Sequence, residues 1–340
     1  MIGRRGFAAA LPLAAFASPA RAQDSVADFY RAKGLTLQIG GESGGAYDLV
    51  GRLVGRYLGK YLPGQPQIVA QNVPAGGGVQ VMNQFEAIAP RDGSVIGTAL
   101  ASAPLAALLT PVVAKFDPRK FGWIGGAGAE VITVVVGDKS PVRTLDDLYK
   151  RELIVGATSP GAASVDYPVA ANALFGVKFK PVLGYNGAGL IVKIAIPAGE
   201  VDGCAAIVWT ALKSQYGTEL KSGKLRVIAQ WGFSKDPDLP DVPLFPAGDT
   251  ESDRALLRIL YARQDYGRPF FTPPGVPAAR LAALREAFAM VFKDAGFIDE
   301  FQRQKLDLDY VSGDTLAALT NRLMASPAEA VARIHDLLGF

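Results

Sequence analysis

One cysteine and one histidine are all that the 340 residues contain. With Cys204 alone, no internal disulfide framework exists. With His335 alone, most metal-site and general-base chemistry is removed, so the expectation is no metal, no cofactor and no enzyme. A block of lysine and arginine is also missing. Residues 1–22 carry three arginines and no acid, and the remaining 318 residues hold 32 basic and 32 acidic side chains. That balance excludes nucleic acid and an anionic membrane surface as partners. No apolar run is long enough to span a bilayer. There is no internal repeat, and no low-complexity tract beyond the N-terminus. In an exported chain of this size, such poverty of reactive groups points to binding rather than catalysis, in a monomer large enough for two domains.

Export is read from the first residues. Met1-Ile2-Gly3-Arg4-Arg5-Gly6-Phe7, a short Ala/Leu-rich run and Ala20-Arg21-Ala22 form a secretory signal peptide with cleavage after Ala22. Arg4-Arg5-Gly6-Phe7 also suits a twin-arginine signal, and both export routes stay open.

Beyond the signal, strands and helices alternate. Leu35–Ile39, Gln67–Gln71, Val95–Leu100, Val131–Val136, Leu153–Gly156, Phe179–Leu183, Gly203–Val208 and Leu225–Ala229 read as strands. Helices are expected over Leu49–Leu62, Val79–Ile88, Leu145–Lys150, Val165–Phe175, Ala278–Phe292, Leu316–Leu323 and Glu329–Leu338, with a proline-rich connector at Asp236–Pro246. Strand–helix units of this kind imply an α/β fold with parallel sheets and ligands at the carboxyl ends of the strands.

The densest signal is the turn after the first strand, Gly40-Gly41-Glu42-Ser43-Gly44-Gly45-Ala46-Tyr47-Asp48. Its glycines read as room for a ligand rather than for packing. Two chemistries compete. Gly41-Glu42-Ser43-Gly44-Gly45 fits the G-x-S-x-G nucleophile elbow, with His335 as the base of a serine hydrolase using Ser43. Against it, only 20 residues separate the cleavage site from Ser43, His335 lies in a helical pattern, and no second histidine supplies an oxyanion segment.

The other chemistry is an anion cradle of backbone amides at a helix N-terminus. Ser43, Gly44, Gly45 and Ala46 form one jaw, Thr158, Ser159, Gly161 and Ala162 a second, and Tyr185, Asn186 and Gly187 a third loop, with Ala101, Ser102 and Ala103 as floor. Four or five charge-assisted hydrogen bonds of roughly 1.5–3 kcal/mol each, less the cost of ordering, reach micromolar affinity without an arginine. Asp48 is read either as a ligand contact or as a capping residue at the third helical position. Glu42 reads as solvated or as a partner for a ligand ammonium, Tyr185 as stacking on the ligand or walling the cleft, and Cys204 as inert core.

Six segments in order resemble the periplasmic solute-binding proteins of tripartite tricarboxylate transporters, the TctC or Bug family. They are Gly44-Gly45-Ala46-Tyr47-Asp48, Gln71-Asn72-Val73-Pro74-Ala75-Gly76-Gly77, Ala89-Pro90-Arg91-Asp92-Gly93, Gly184-Tyr185-Asn186-Gly187, Gly199-Glu200-Val201-Asp202 and Pro273-Pro274-Gly275-Val276-Pro277. The resemblance implies a two-domain periplasmic-binding-protein fold of type II, the Venus flytrap, with two crossover strands. Domain I would be roughly 23–124 with 234–340, and domain II 125–233. It further implies a periplasmic location, a small organic acid as ligand, and delivery to the inner-membrane permease subunits. A sensor role toward a membrane signalling partner is the alternative within the same fold.

Overall fold

The computed structural model describes residues 25–128, 131–158, 161–304 and 308–339. The expected signal peptide and Ser159 lie outside the described residues.

Eleven strands form two sheets among the described residues. In the first, β1 (Leu35–Ile39) lies between β2 (Ile68–Asn72) and β3 (Val95–Thr98), all parallel. Three antiparallel strands extend it: β10 (Arg268–Thr272) beside β3, then β4 (Gly122–Ala127), then β11 (Tyr310–Ser312) at the edge. In the second sheet β6 (Leu153–Gly156) is parallel to β7 (Phe179–Val182) and to β8 (Gly203–Val208). There β5 (Ile132–Gly137) is inserted antiparallel between β8 and β9 (Leu225–Trp231). The expectation of parallel sheets is therefore corrected to mixed ones. Each sheet keeps a parallel core built from strand–helix units, while β10 and β11 in the first sheet and β5 in the second run the other way.

β4 and β10 are strands that the sequence pattern does not announce. Gly122-Trp123-Ile124-Gly125-Gly126-Ala127 carries three glycines, which weaken a strand signal. Packing explains one of them: a Cβ on Gly125 would lie 2.6 Å from the Phe288 ring. β4 extends to Ala127, past the boundary at 124 expected from the sequence.

A helix missing from the sequence reading, Glu251–Tyr266, joins the halves. It leads through Gly267 into β10 and packs against the helices Gly313–Met324, Ala328–Leu338 and Ala163–Phe175. One apolar cluster runs through it from Trp123 and Phe271 of the first sheet to Tyr167 and Trp231 of the second. Trp231 stacks on Phe245 with ring centroids 3.8 Å apart, and Tyr167 meets both Trp231 and Tyr261. Geometries of this kind contribute about 0.5–1.5 kcal/mol per pair beyond burial. The halves thus share a core, and the turns at the carboxyl ends of their strands come together beside it.

Candidate ligand-binding cleft

The first turn is fastened from within. Gly40 is needed for packing after all: a Cβ there would lie 2.4 Å from the Gly78 Cα, where the two glycine-rich turns touch. Gly44 adopts φ +78°, and its N–H donates to Asp48 Oδ2 at 2.9 Å. The Gly45 N–H donates to the Glu42 carbonyl at 3.1 Å. Asp48 also accepts from Arg52 Nε at 2.7 Å and Asn72 Nδ2 at 2.9 Å. Burial works to raise its carboxyl, but the hydrogen bonds from Gly44, Asn72 and Arg52 outweigh it and hold the group below the ordinary carboxylate range. The Gly44 and Gly45 amides, expected to face a ligand, bond inside the loop instead, and of the two readings of Asp48 the structure shows the capping one, with three donors on its carboxylate. Ser43, Ala46 and Glu42 are exposed.

The floor is organised by Tyr47, which the sequence reading left out of the site. Its hydroxyl accepts from the Ala101 N–H at 3.1 Å and reaches the Gly267 carbonyl at 3.5 Å. The guanidinium of Arg268 lies 5.6 Å from its ring centroid. Ala101 and Ala103 are buried, and Ser102 between them is partly exposed.

The second sheet repeats the device. Gly161, at φ +86°, donates its N–H to Asp166 Oδ1 at 3.1 Å, just as Gly44 does to Asp48. The Thr158 N–H donates to Ser164 Oγ at 3.1 Å, and Ala162 is the N-cap of the helix Ala163–Phe175. The third loop clasps the second: the Gly184 N–H reaches Thr158 O at 3.2 Å and the Tyr185 N–H reaches Ala157 O at 3.1 Å. Thr158, Tyr185, Asn186 and Gly187 line one open hollow of about 390 Å³. Tyr185 donates its hydroxyl to Glu200 at 3.2 Å, so the ring is held at the wall.

A cavity of about 120 Å³ lies where the halves meet. Ser102 reaches it from the first sheet's turns and Gly161 from the second's; Val79, Leu105 and Leu109 give it an apolar side, and Arg263 closes it. This volume is several times the ~30 Å³ share of one water. Ser43, Gly44, Gly45 and Ala46 are not among its walls, so the structure joins Ser102 to Gly161 but not the first jaw to the second.

Arg263 is the residue that sequence reading missed. It is 7% exposed, its Nη2 donates to Asp166 Oδ2 at 3.0 Å, and its guanidinium stands 5.3 Å from the Tyr167 ring centroid. Its Nε is buried without a hydrogen-bond partner. Burial pushes the Asp166 carboxyl up, against the pull of Arg263 and the Gly161 N–H. The signal was available: Leu256, Ile259, Leu260 and Arg263 fall at i, i+3, i+4, i+7, which sets an arginine on a buried helix face.

Other candidates resolve as structure. Cys204 is fully buried, and burial pushes its thiol up to about 12. Asp202 accepts the Ile154 N–H at 3.1 Å. His335 is fixed within the helix Ala328–Leu338, whereas Ser43 is on the exposed turn before Ala46–Tyr61. Among the described residues no group of three His, Cys, Asp or Glu is placed to hold a metal.

No family model matches the chain. The UPF0065 protein in the gbd 5'region of Cupriavidus necator is 27% identical over 254 residues, which cover 71% of this chain and 72% of that protein. A TctC solute-binding protein from Polaromonas superposes with a TM-score of 0.66 at 18% identity, over 91% of this chain and 99% of that one. The chain has the TctC/Bug solute-binding fold. It is a two-domain periplasmic-binding-protein architecture, as the resemblance implied. Within this fold, MatC from Rhodopseudomonas palustris with bound malate superposes with a TM-score of 0.60 at 21% identity, covering 90% and 98% of the two chains. The Polaromonas protein is a solute-binding protein and MatC holds malate; in this chain the cavity is lined from the turns of both sheets.

Proposed function

We propose that this chain is an exported, periplasmic solute-binding protein that captures a small carboxylate-bearing solute in the cleft between its two lobes. It works by closure, without covalent chemistry, and delivers the solute to the permease subunits of a tripartite tricarboxylate transporter. The observation that carries this reading is the cavity whose walls include Ser102 from the first sheet's turns and Gly161 from the second's. A solute seated there touches both lobes, so it favours the closed arrangement by its differential contacts. The domain division belongs to the same proposal, with lobe I near 23–124 and 234–340 and lobe II near 125–233. The malate-bound fold neighbour supports a short organic acid as the solute class.

The amides at Gly44, Gly45, Ala101 and Gly161 are engaged inside the protein and hold their own turns in shape, so the anion is met by other groups. The test is a thermal-shift screen of the mature chain against di- and tricarboxylates of four to six carbons, amino acids and aromatic acids. A solute at 100 times its Kd stabilises by about 2.7 kcal/mol, roughly 4 °C for a chain of about 320 residues. At least one acid is expected to raise the midpoint that far while its amide does not. No response to any carboxylate contradicts the proposal.

A further inference from the structure

A guanidinium has five N–H donors and, once out of water, needs nearly all of them satisfied. Among the described residues Arg263 uses one, to Asp166, and its Nε has no partner although the side chain is more than nine-tenths buried. Asp166 gives its other oxygen to the Gly161 N–H, so it meets the guanidinium through a single oxygen. The arginine is therefore held in place but left short of acceptors, and it borders the cavity between the lobes together with Ser102 and Gly161. A cation in that condition is matched by a planar anion with two oxygens, which accepts from it along two parallel N–H bonds.

We propose that Arg263 is the specificity-determining residue of the cleft, binding one carboxylate of the solute, with Asp166 as the positioning residue that holds the guanidinium toward the cavity. This rests on the solute-binding reading and adds the charge that selects the ligand. Val79, Leu105 and Leu109 on the same cavity fix the rest of the ligand class: the carboxylate that meets Arg263 is borne on a short apolar stem, and Ser102 offers that end a hydroxyl. Arg263 also links binding to closure. It projects from the helix Glu251–Tyr266 that leads into the first sheet, while Asp166 and Gly161 belong to the second lobe's turn. An anion held by Arg263 and Ser102, both of lobe I, lies against the Gly161 turn of lobe II and so touches both sides.

The test is isothermal titration of malate, succinate, glutarate and adipate, each beside its diamide. Four proteins are compared: wild type, Asp166→Asn, Arg263→Gln, and the double variant Arg263→Met/Asp166→Asn. The double variant removes the buried charges together and keeps an oxygen for the Gly161 N–H, so the loss of binding is readable even if Arg263→Gln fails to fold. Wild type is expected to bind at least one of these acids and to reject its diamide. Asp166→Asn, which leaves the guanidinium in place but less firmly held, should weaken that acid by an intermediate 3- to 10-fold, while Arg263→Gln and the double variant weaken it at least 30-fold. Binding within three-fold of wild type in the double variant overturns the assignment of Arg263 and leaves the solute-binding reading standing. Absence of acid binding to wild type overturns both, and a loss of binding in Asp166→Asn equal to that in the double variant overturns the division of roles between the two residues.

Discussion

Replacing Arg263 by methionine alone is expected to destabilise the protein by about 3–5 kcal/mol, because it strands a buried carboxylate. Asp166 is 1% exposed and Arg263 8% at their side chains, so water does not reach the ion left behind. The loss is not confined to one pair. Asp166 holds the Gly161 N–H, and the neighbouring Tyr167 hydroxyl donates to the Leu260 carbonyl at 3.1 Å, so this contact fastens the second lobe's turn to the helix Glu251–Tyr266. The control is the pair removed together. Arg263→Met/Asp166→Asn takes away both charges, and replacement of a buried ion pair by groups of similar volume is commonly neutral or stabilising. Urea unfolding checks it: the midpoint falls for the single variant with the slope unchanged, and recovers in the double variant. Equal destabilisation by the two would show that the interaction is one of packing and not of charge.

Gly267→Ala is the second substitution with a large effect, about 2–6 kcal/mol. Gly267 sits between the helix Glu251–Tyr266 and β10 at φ +56°, ψ −124°, a conformation that costs an L-residue of order 1–3 kcal/mol. An added Cβ would stand 1.6 Å from the Gly128 carbonyl oxygen. That oxygen is backbone at the end of β4, so relief requires β4 and β10 to separate, which adds the overpacking cost of about 1–3 kcal/mol. The cleft floor should move with it, since the Gly267 carbonyl meets the Tyr47 hydroxyl that also holds Ala101. Gly44→Ala is the contrast: Gly44 has φ +78° but nothing within 4 Å of a Cβ, so only the backbone term applies. Thermal or urea unfolding should separate the two variants by more than 1 kcal/mol. Equal costs would mean that the crossing of β4 and β10 yields easily.

Strand pattern was the legible part of this chain. β1, β6 and β8 lie where alternation and apolar runs put them, because each fills its own sheet with side chains of ordinary propensity. β4 was hidden because its glycines answer to Phe288 and neighbouring backbone, which are remote in sequence. The helix Glu251–Tyr266 was hidden by charge, although Thr250 and Asp253 form a capping box whose spacing is visible in the sequence. In the cleft, glycine positions showed which turns matter, but not where their N–H groups point. The sequence reading aimed them at a ligand, whereas Asp48 and Asp166 take the amides of Gly44 and Gly161. Each aspartate is paired with an arginine, Arg52 half-exposed at the surface and Arg263 buried at the cavity. Direction and burial of this kind depend on which helix lies across the turn, and no local pattern carries it.

On the proposed reading, one solute is gripped by turns from both sheets at once. Hydrogen–deuterium exchange of the mature chain, with and without the acid that gives the largest thermal shift, tests it most directly. Protection is expected to rise together in residues 99–103 after β3 and in residues 157–158 and 161–164 after β6, with the rest of each lobe little changed. Protection confined to one of these turns, or raised elsewhere with both turns unaffected, would contradict capture between the lobes.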